Sequence, residues 1–232
     1  AVVARKKAPR TVTGAQCSAP YECGFLAHCQ GAEPQAEHPV HWLPRRGSAL
    51  KAHIEEHGIS ELRDVPDDLL NPTQQRVKAA TLSGQAFFDQ PATAQALAAH
   101  KLPGYFIDFE TIQFGVPLWK GTRPYQQLPF QFSVHRLGRT GRATHQAFLD
   151  LSGGNPSLAF AQSLVAACGE RGPVFVYNAA FETTRIRELA ERHPRLAIAL
   201  RAINDRVVDL LPIARQHYYH PSQQGSWSIK AV

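Results

Sequence analysis

The segment YFIDFET, residues 105–111, ends an apolar run with two acids, Asp108 and Glu110. They are two residues apart, and the period of two in a strand puts both side chains on one face. Adjacent carboxylates repel and favour a cation between them. Ligation by oxygen alone suits Mg²⁺ or Mn²⁺. Two such ions about 3.5–4 Å apart stabilise both the attacking and the leaving oxygen of a phosphoryl transfer. An Asp-x-Glu pair by itself is common on surface strands, so a second segment has to join it. That segment is VFVYNAAFETTRIRELA, residues 174–190, where an apolar strand leads to Asn178, and Phe181 and Glu182 then open a helix. The helix dipole favours a first-turn carboxylate without any catalytic role, and Asn178 reads equally as an N-cap or a turn residue.

Two further groups carry chemistry. Between the acidic segments, PLWKGTRPYQQLPFQFSVH interleaves Trp119, Lys120, Arg123 and Tyr125. Cations for phosphate and rings for stacked bases suit a single strand of nucleic acid; the alternative is core packing for Trp119 and Tyr125 and an ion pair for Arg123. Near the start, Cys17, Cys23 and Cys29 recur with five residues between each. Regular cysteines in a loop-rich segment suggest metal ligation, by zinc or an iron–sulfur cluster. For zinc, His28, His38 or His41 is the candidate fourth ligand. Cys168, in the apolar LVAACGE, reads as core.

The elements that must position these residues fall into three regions. Residues 1–45 form a cysteine module with little periodicity. Residues 46–100 read as a helical linker module, with Asn71 as N-cap and Pro72 at the first helical position of one helix. Residues 101–232 change to strands and loops. GYFIDFE and PVFVYNAAFE suit buried strands, and FQFSVHRLG with GRATHQAFLDL reads as a hairpin. Helices follow at NPSLAFAQSLVAACGE and at TTRIRELAERHPRLAIALRAI, the latter broken at Pro194, and DRVVDLLPIARQH reads as a short strand leading into a helix. The pattern gives a mixed α/β sheet.

The chain has 232 residues, 44% of them hydrophobic and 19% charged, which is globular material. Its net charge of +6 fits a polyanionic partner. No apolar run approaches the roughly 20 residues of a membrane helix, and the basic start, Ala1 to Arg10, lacks the apolar stretch of a signal peptide. A cytoplasmic location with free or metal-bound cysteines is expected. Methionine is absent, at position 1 included, and both ends are expected to be cut from a longer protein.

IDFET and VYNAAFE, in this order, resemble the first two motifs of the DnaQ-like DEDD 3′–5′ exonuclease superfamily. VVDLLPIARQHYY resembles the segment that follows them, in which Asp209 takes a structural part. The resemblance covers residues 103–232 and implies an RNase H-like mixed sheet flanked by helices. It also implies an exonuclease that holds two Mg²⁺ or Mn²⁺ through Asp108, Glu110 and Glu182, with Asn178 at the nucleic acid. Two departures stand out. Glu182 replaces the usual Asp, and the fourth acid, expected in a later helix, has no counterpart before Val232. The insertion resembles an uncharacterised bacterial branch, a domain of unknown function often fused to a RecB-type nuclease. The tail GSWSIKAV is similar too, which would turn Ser226 and Lys230 to the phosphate path. The cysteine spacing resembles the last three cysteines of the [4Fe-4S] staple in RecB- and Cas4-type nucleases, which implies an upstream nuclease domain carrying the fourth. The competing expectation is a catalytically degenerate nucleic-acid-binding module, or a scaffold attached to such a nuclease.

Overall fold

The central strand is decided by alternation. In β2 (Gly104–Ile112), Tyr105, Ile107 and Phe109 are buried, while Phe106, Asp108 and Glu110 between them are exposed. One face of the strand therefore belongs to a core and the other carries the acids. The computed structural model describes residues 13–18, 21–31 and 36–232. The basic start, Ala1 to Arg10, lies outside these described residues.

β2 pairs antiparallel with β3 (Leu128–Leu137), and β3 antiparallel with β4 (Ala143–Leu149). On its other side β2 runs parallel to β5 (Val174–Val176), and β5 parallel to β6 (Val207–Asp209). The resulting order, β4-β3-β2-β5-β6, is the RNase H-like mixed sheet that the sequence leads one to expect. The β3–β4 hairpin closes through Gly138 and Gly141, the latter at φ +79°, where a side chain would be strained.

The buried face of the sheet packs against α5 (Ser157–Cys168), α6 (Ala180–Arg192) and α7 (Ala197–Asn204). Phe160 is fully buried at the centre, edge-on to Phe109, Phe132 and Phe148. Edge-to-face rings add about 0.5–1.5 kcal/mol per pair beyond simple burial. Pro194 separates α6 from α7, as the sequence predicts. α8 (Leu210–His217) follows β6, and the short strands β1 (Phe87–Phe88) and β7 (Tyr218–Tyr219) pair antiparallel. Trp227 is buried here, its indole N–H donating to the Tyr218 carbonyl.

The chain divides into two compact units, with the division after Gln85; Gln224–Ser226 group with the first and Trp227–Val232 with the second. The linker region of residues 46–100 is thus shared between them, and α4 (Gln90–Ala98) belongs to the sheet unit. The first unit has its own core of Leu43, Leu50, Ile54, Leu62, Val65 and Leu70. Its helices include α1 (Leu26–Gly31), α2 (Ser48–Glu56) and α3 (Pro72–Ser83). Asn71 caps α3 in a full capping box with Gln74, and Gly84 ends it in the left-handed conformation. Among the described residues no helix is long and apolar enough to cross a membrane.

Candidate active site at the ends of the central strands

Asp108 and Glu110 lie on the exposed face of β2, opposite Ser133 and Gln131 of β3. The register shifts immediately after Glu110, where Thr111 pairs with Pro129. This bulge ends the regular pairing and turns the chain into the insertion. Proline fits the break because it has no N–H to give to a ladder. Ser133 also hydrogen bonds to His145 Nε2 at 2.9 Å, and His145 stacks on His135 with ring centres 4.3 Å apart. The hairpin register thus adds Gln131, Ser133 and two imidazoles to the face of the acids. Sequence reading missed these four, although the alternation of β3 carries the signal for Gln131, Ser133 and His135.

Glu182 comes from the first turn of α6 and is 4% exposed. Its Oε2 has no hydrogen-bond partner among the described residues. Burial pushes its carboxyl up to about 7; its own backbone N–H opposes the rise, and the charges of Asp108 and Asp209 add to it. Asp108 and Glu182, some 70 residues apart in the chain, are therefore electrostatic neighbours.

Asp209 fixes the turn that delivers Glu182. Asn178, two residues past β5, has φ +71°, a left-handed conformation that Asn tolerates better than most residues. The backbone N–H groups of Asn178 and Ala179 donate to Asp209 at 2.9 and 3.0 Å. Leu211 N–H does so at 2.9 Å, which makes Asp209 the N-cap of α8 as well. No side chain caps the start of α6, and Asp209 holds the turn immediately before the helix from a neighbouring strand.

The insertion is tied to α6 by polar rungs on one helical face. Arg185 donates to Gln127, Arg123 pairs with Glu188 at 3.8 Å, and Arg192 donates to the Gly121 carbonyl at 2.8 Å. Arg185 is 9% exposed and also pairs with Glu188 at 3.1 Å. Trp119 is half-buried, donates to the Gly153 carbonyl at 3.1 Å and meets Phe114 edge-on. Lys120 and Lys230 are exposed, and so is Tyr125, at 71% and with φ +56°. Of the residues expected at nucleic acid, Trp119 and Arg123 therefore hold the insertion in place, while Lys120, Tyr125 and Lys230 stand free of the core.

Carboxylates of this kind match a hard divalent cation, and the unpartnered Glu182 oxygen is an open acceptor such a cation would satisfy. Among the described residues no three His, Cys, Asp or Glu side chains converge closely enough to hold a metal. The same holds for the cysteines. Cys17 is half-buried, while Cys23 and Cys29 are exposed. The Cys23 N–H donates to the Cys17 carbonyl at 2.8 Å, and Cys29 lies on α1. Cys168 is buried in α5, and burial pushes its thiol up to about 12.

Residues 105–228, more than half of the chain, match a family described as a domain of unknown function (DUF2779). The chain belongs to this family. The DUF2779 match begins on β2 and takes in Asp108, Glu110, Asn178, Glu182 and Asp209; it leaves out the three cysteines and Lys230. No curated protein and no solved structure matches the chain.

Proposed function

We propose that the DUF2779 region is a metal-dependent nuclease of the DnaQ-like DEDD kind, a 3′–5′ exonuclease on single-stranded DNA or RNA. The observation that carries this reading is the buried, unpartnered Glu182 oxygen, whose carboxyl feels the charge of Asp108 on the exposed face of an RNase H-like central strand. Asp108, Glu110 and Glu182 would hold two Mg²⁺ or Mn²⁺. Bound there, the ions would stabilise charge on the attacking and leaving oxygens of the phosphodiester. Asp209 already accepts three backbone N–H groups and holds the β5–α6 turn. Lys120, Tyr125 and Lys230 are free to meet phosphates and bases. Cys17, Cys23 and Cys29 would ligate an iron–sulfur cluster, or zinc, together with a ligand from elsewhere, such as an upstream RecB-type nuclease domain.

The test is a gel assay on 5′-labelled single-stranded DNA and RNA with Mn²⁺, Mg²⁺ or EDTA. The expected result is a metal-dependent ladder that shortens from the 3′ end and falls on the order of 100-fold or more in Asp108→Ala, as loss of a metal ligand requires. Equal degradation by Asp108→Ala overturns the reading. A second reading, a degenerate binding module, is favoured by the lack of convergence of three acids among the described residues. Binding indifferent to Mg²⁺, with no cleavage, would select it.

A further inference from the structure

The β3–β4 hairpin carries a groove of about 500 Å³ that none of the acids enters. Arg136, Arg139 and Arg142 line it with Thr140 and Thr144, and no Asp or Glu is among its lining residues. None of the three arginines takes part in an ion pair found among the described residues. Arg136 lies opposite Tyr105 on one side and Thr144 on the other, so the ladder fixes its backbone. Arg139 Nε donates to the Leu102 carbonyl at 3.1 Å, which steadies its guanidinium. Arg142 is fixed through the turn, where its carbonyl accepts from Gly138 at 2.8 Å. Three like charges held together without a carboxylate repel each other, and an anion relieves that repulsion.

The chemistry selects phosphate. Guanidinium forks pair bidentately with phosphate oxygens, and threonine hydroxyls add donors. The groove is more than ten times a water's share of liquid volume, about 30 Å³, which is more than one phosphate fills. A backbone carrying several phosphates fits better, in keeping with the net charge of +6. The groove is also apart from the acids. Arg136 pairs with the residue three positions before Asp108 on β2, about 10 Å along the strand and on the opposite face.

We propose that this arginine groove is a second nucleic-acid site, which grips backbone phosphates away from the carboxylates. In its role for an exonuclease it rests on the reading above; as a binding site it does not. The probe is fluorescein-labelled oligo(dT), bound in EDTA across a salt series, with inorganic phosphate as competitor. Each phosphate contact contributes about 0.7 to the slope of log K against log salt for a single strand. The variant Arg136→Ala/Arg139→Ala/Arg142→Ala should lose about 2 from that slope and bind at least tenfold more weakly at low salt. Thr140→Glu, at an exposed turn position, should weaken binding by setting a carboxylate among the arginines. A slope unmoved in both variants overturns the site, and full competition by inorganic phosphate overturns its assignment to nucleic acid. A lowered slope with no cleavage under any metal keeps the groove and sinks the exonuclease. Cleavage with an unmoved slope does the reverse.

Discussion

The acids of the sheet unit and the cysteines near the start both have spacings that suit metal ligands, yet the fold treats them differently. Asp108 and Glu110 are placed by the three buried residues alternating with them on β2. Glu182 is placed by a helix packed on the same core and by the Asp209 clasp. The segment with Cys17, Cys23 and Cys29 contains no buried side chain among its described residues, only short turns and α1. A core fixes the acids before any ligand arrives. Among the described residues no such core surrounds the thiols, so a bound ligand would have to fix them, as in small metal-dependent modules.

This contrast breaks first if the core does not hold the acids. Phe160→Ala removes the ring at the centre of three aromatic contacts and should cost about 3–5 kcal/mol. Denaturant unfolding measures it, and a cost under about 1 kcal/mol would show that the core tolerates the cavity. Asp209→Ala comes next. It strips the acceptor from three backbone N–H groups at the β5–α6 turn and at the start of α8, for an expected loss of about 2–3 kcal/mol. A melt unchanged from the parent would mean that the turn holds itself.

Much of this was legible because it rests on local pattern. Alternation gave the faces of β2, the Gly-bearing turn gave the hairpin, Asn71 before Pro72 gave a helix start, and Pro194 gave a break. The neighbourhood of Asp108 and Glu182 followed only by resemblance, since no local rule ties residues so far apart in the chain. The rungs from the insertion to α6 were out of reach for the same reason: Gln127 and Arg185 meet through the fold. The arginine groove was half visible. Arg139 and Arg142 flank an evident turn, but that Arg136 shares the groove with them depends on the register of β3 against β4.

A smaller effect separates Glu182 from the exposed acids. Its carboxyl is raised from the ordinary 4.5 to about 7. Between those values the folded protein keeps a proton that the unfolded chain has lost. The stability linked to this proton is complete below the lower value and is lost as pH rises through the higher one. In metal-free buffer Glu182→Gln should therefore match the parent in acid and exceed it by on the order of 2 kcal/mol at a pH about two units above the raised value. Thermal melts across pH decide this; parallel curves for variant and parent would remove the burial argument.

The smallest effect belongs to the cysteines and sharpens the contrast from the other side. Cys23 is exposed and belongs to neither core found among the described residues. Cys23→Ser should shift the unfolding of the sheet unit by no more than about 0.5 kcal/mol, as for an ordinary surface substitution. The same variant should lose any iron or zinc that purifies with the parent, because a serine hydroxyl is a poor substitute for a thiolate. Hydrogen exchange read by peptide separates the two statements. Metal loading should slow exchange in peptides spanning residues 17–29 of the parent, not of the variant, and leave the β2 peptides unmoved. If β2 instead followed the metal, the acids would owe their placement to the cysteine ligand as well as to the core, and the division drawn between the two regions would fail.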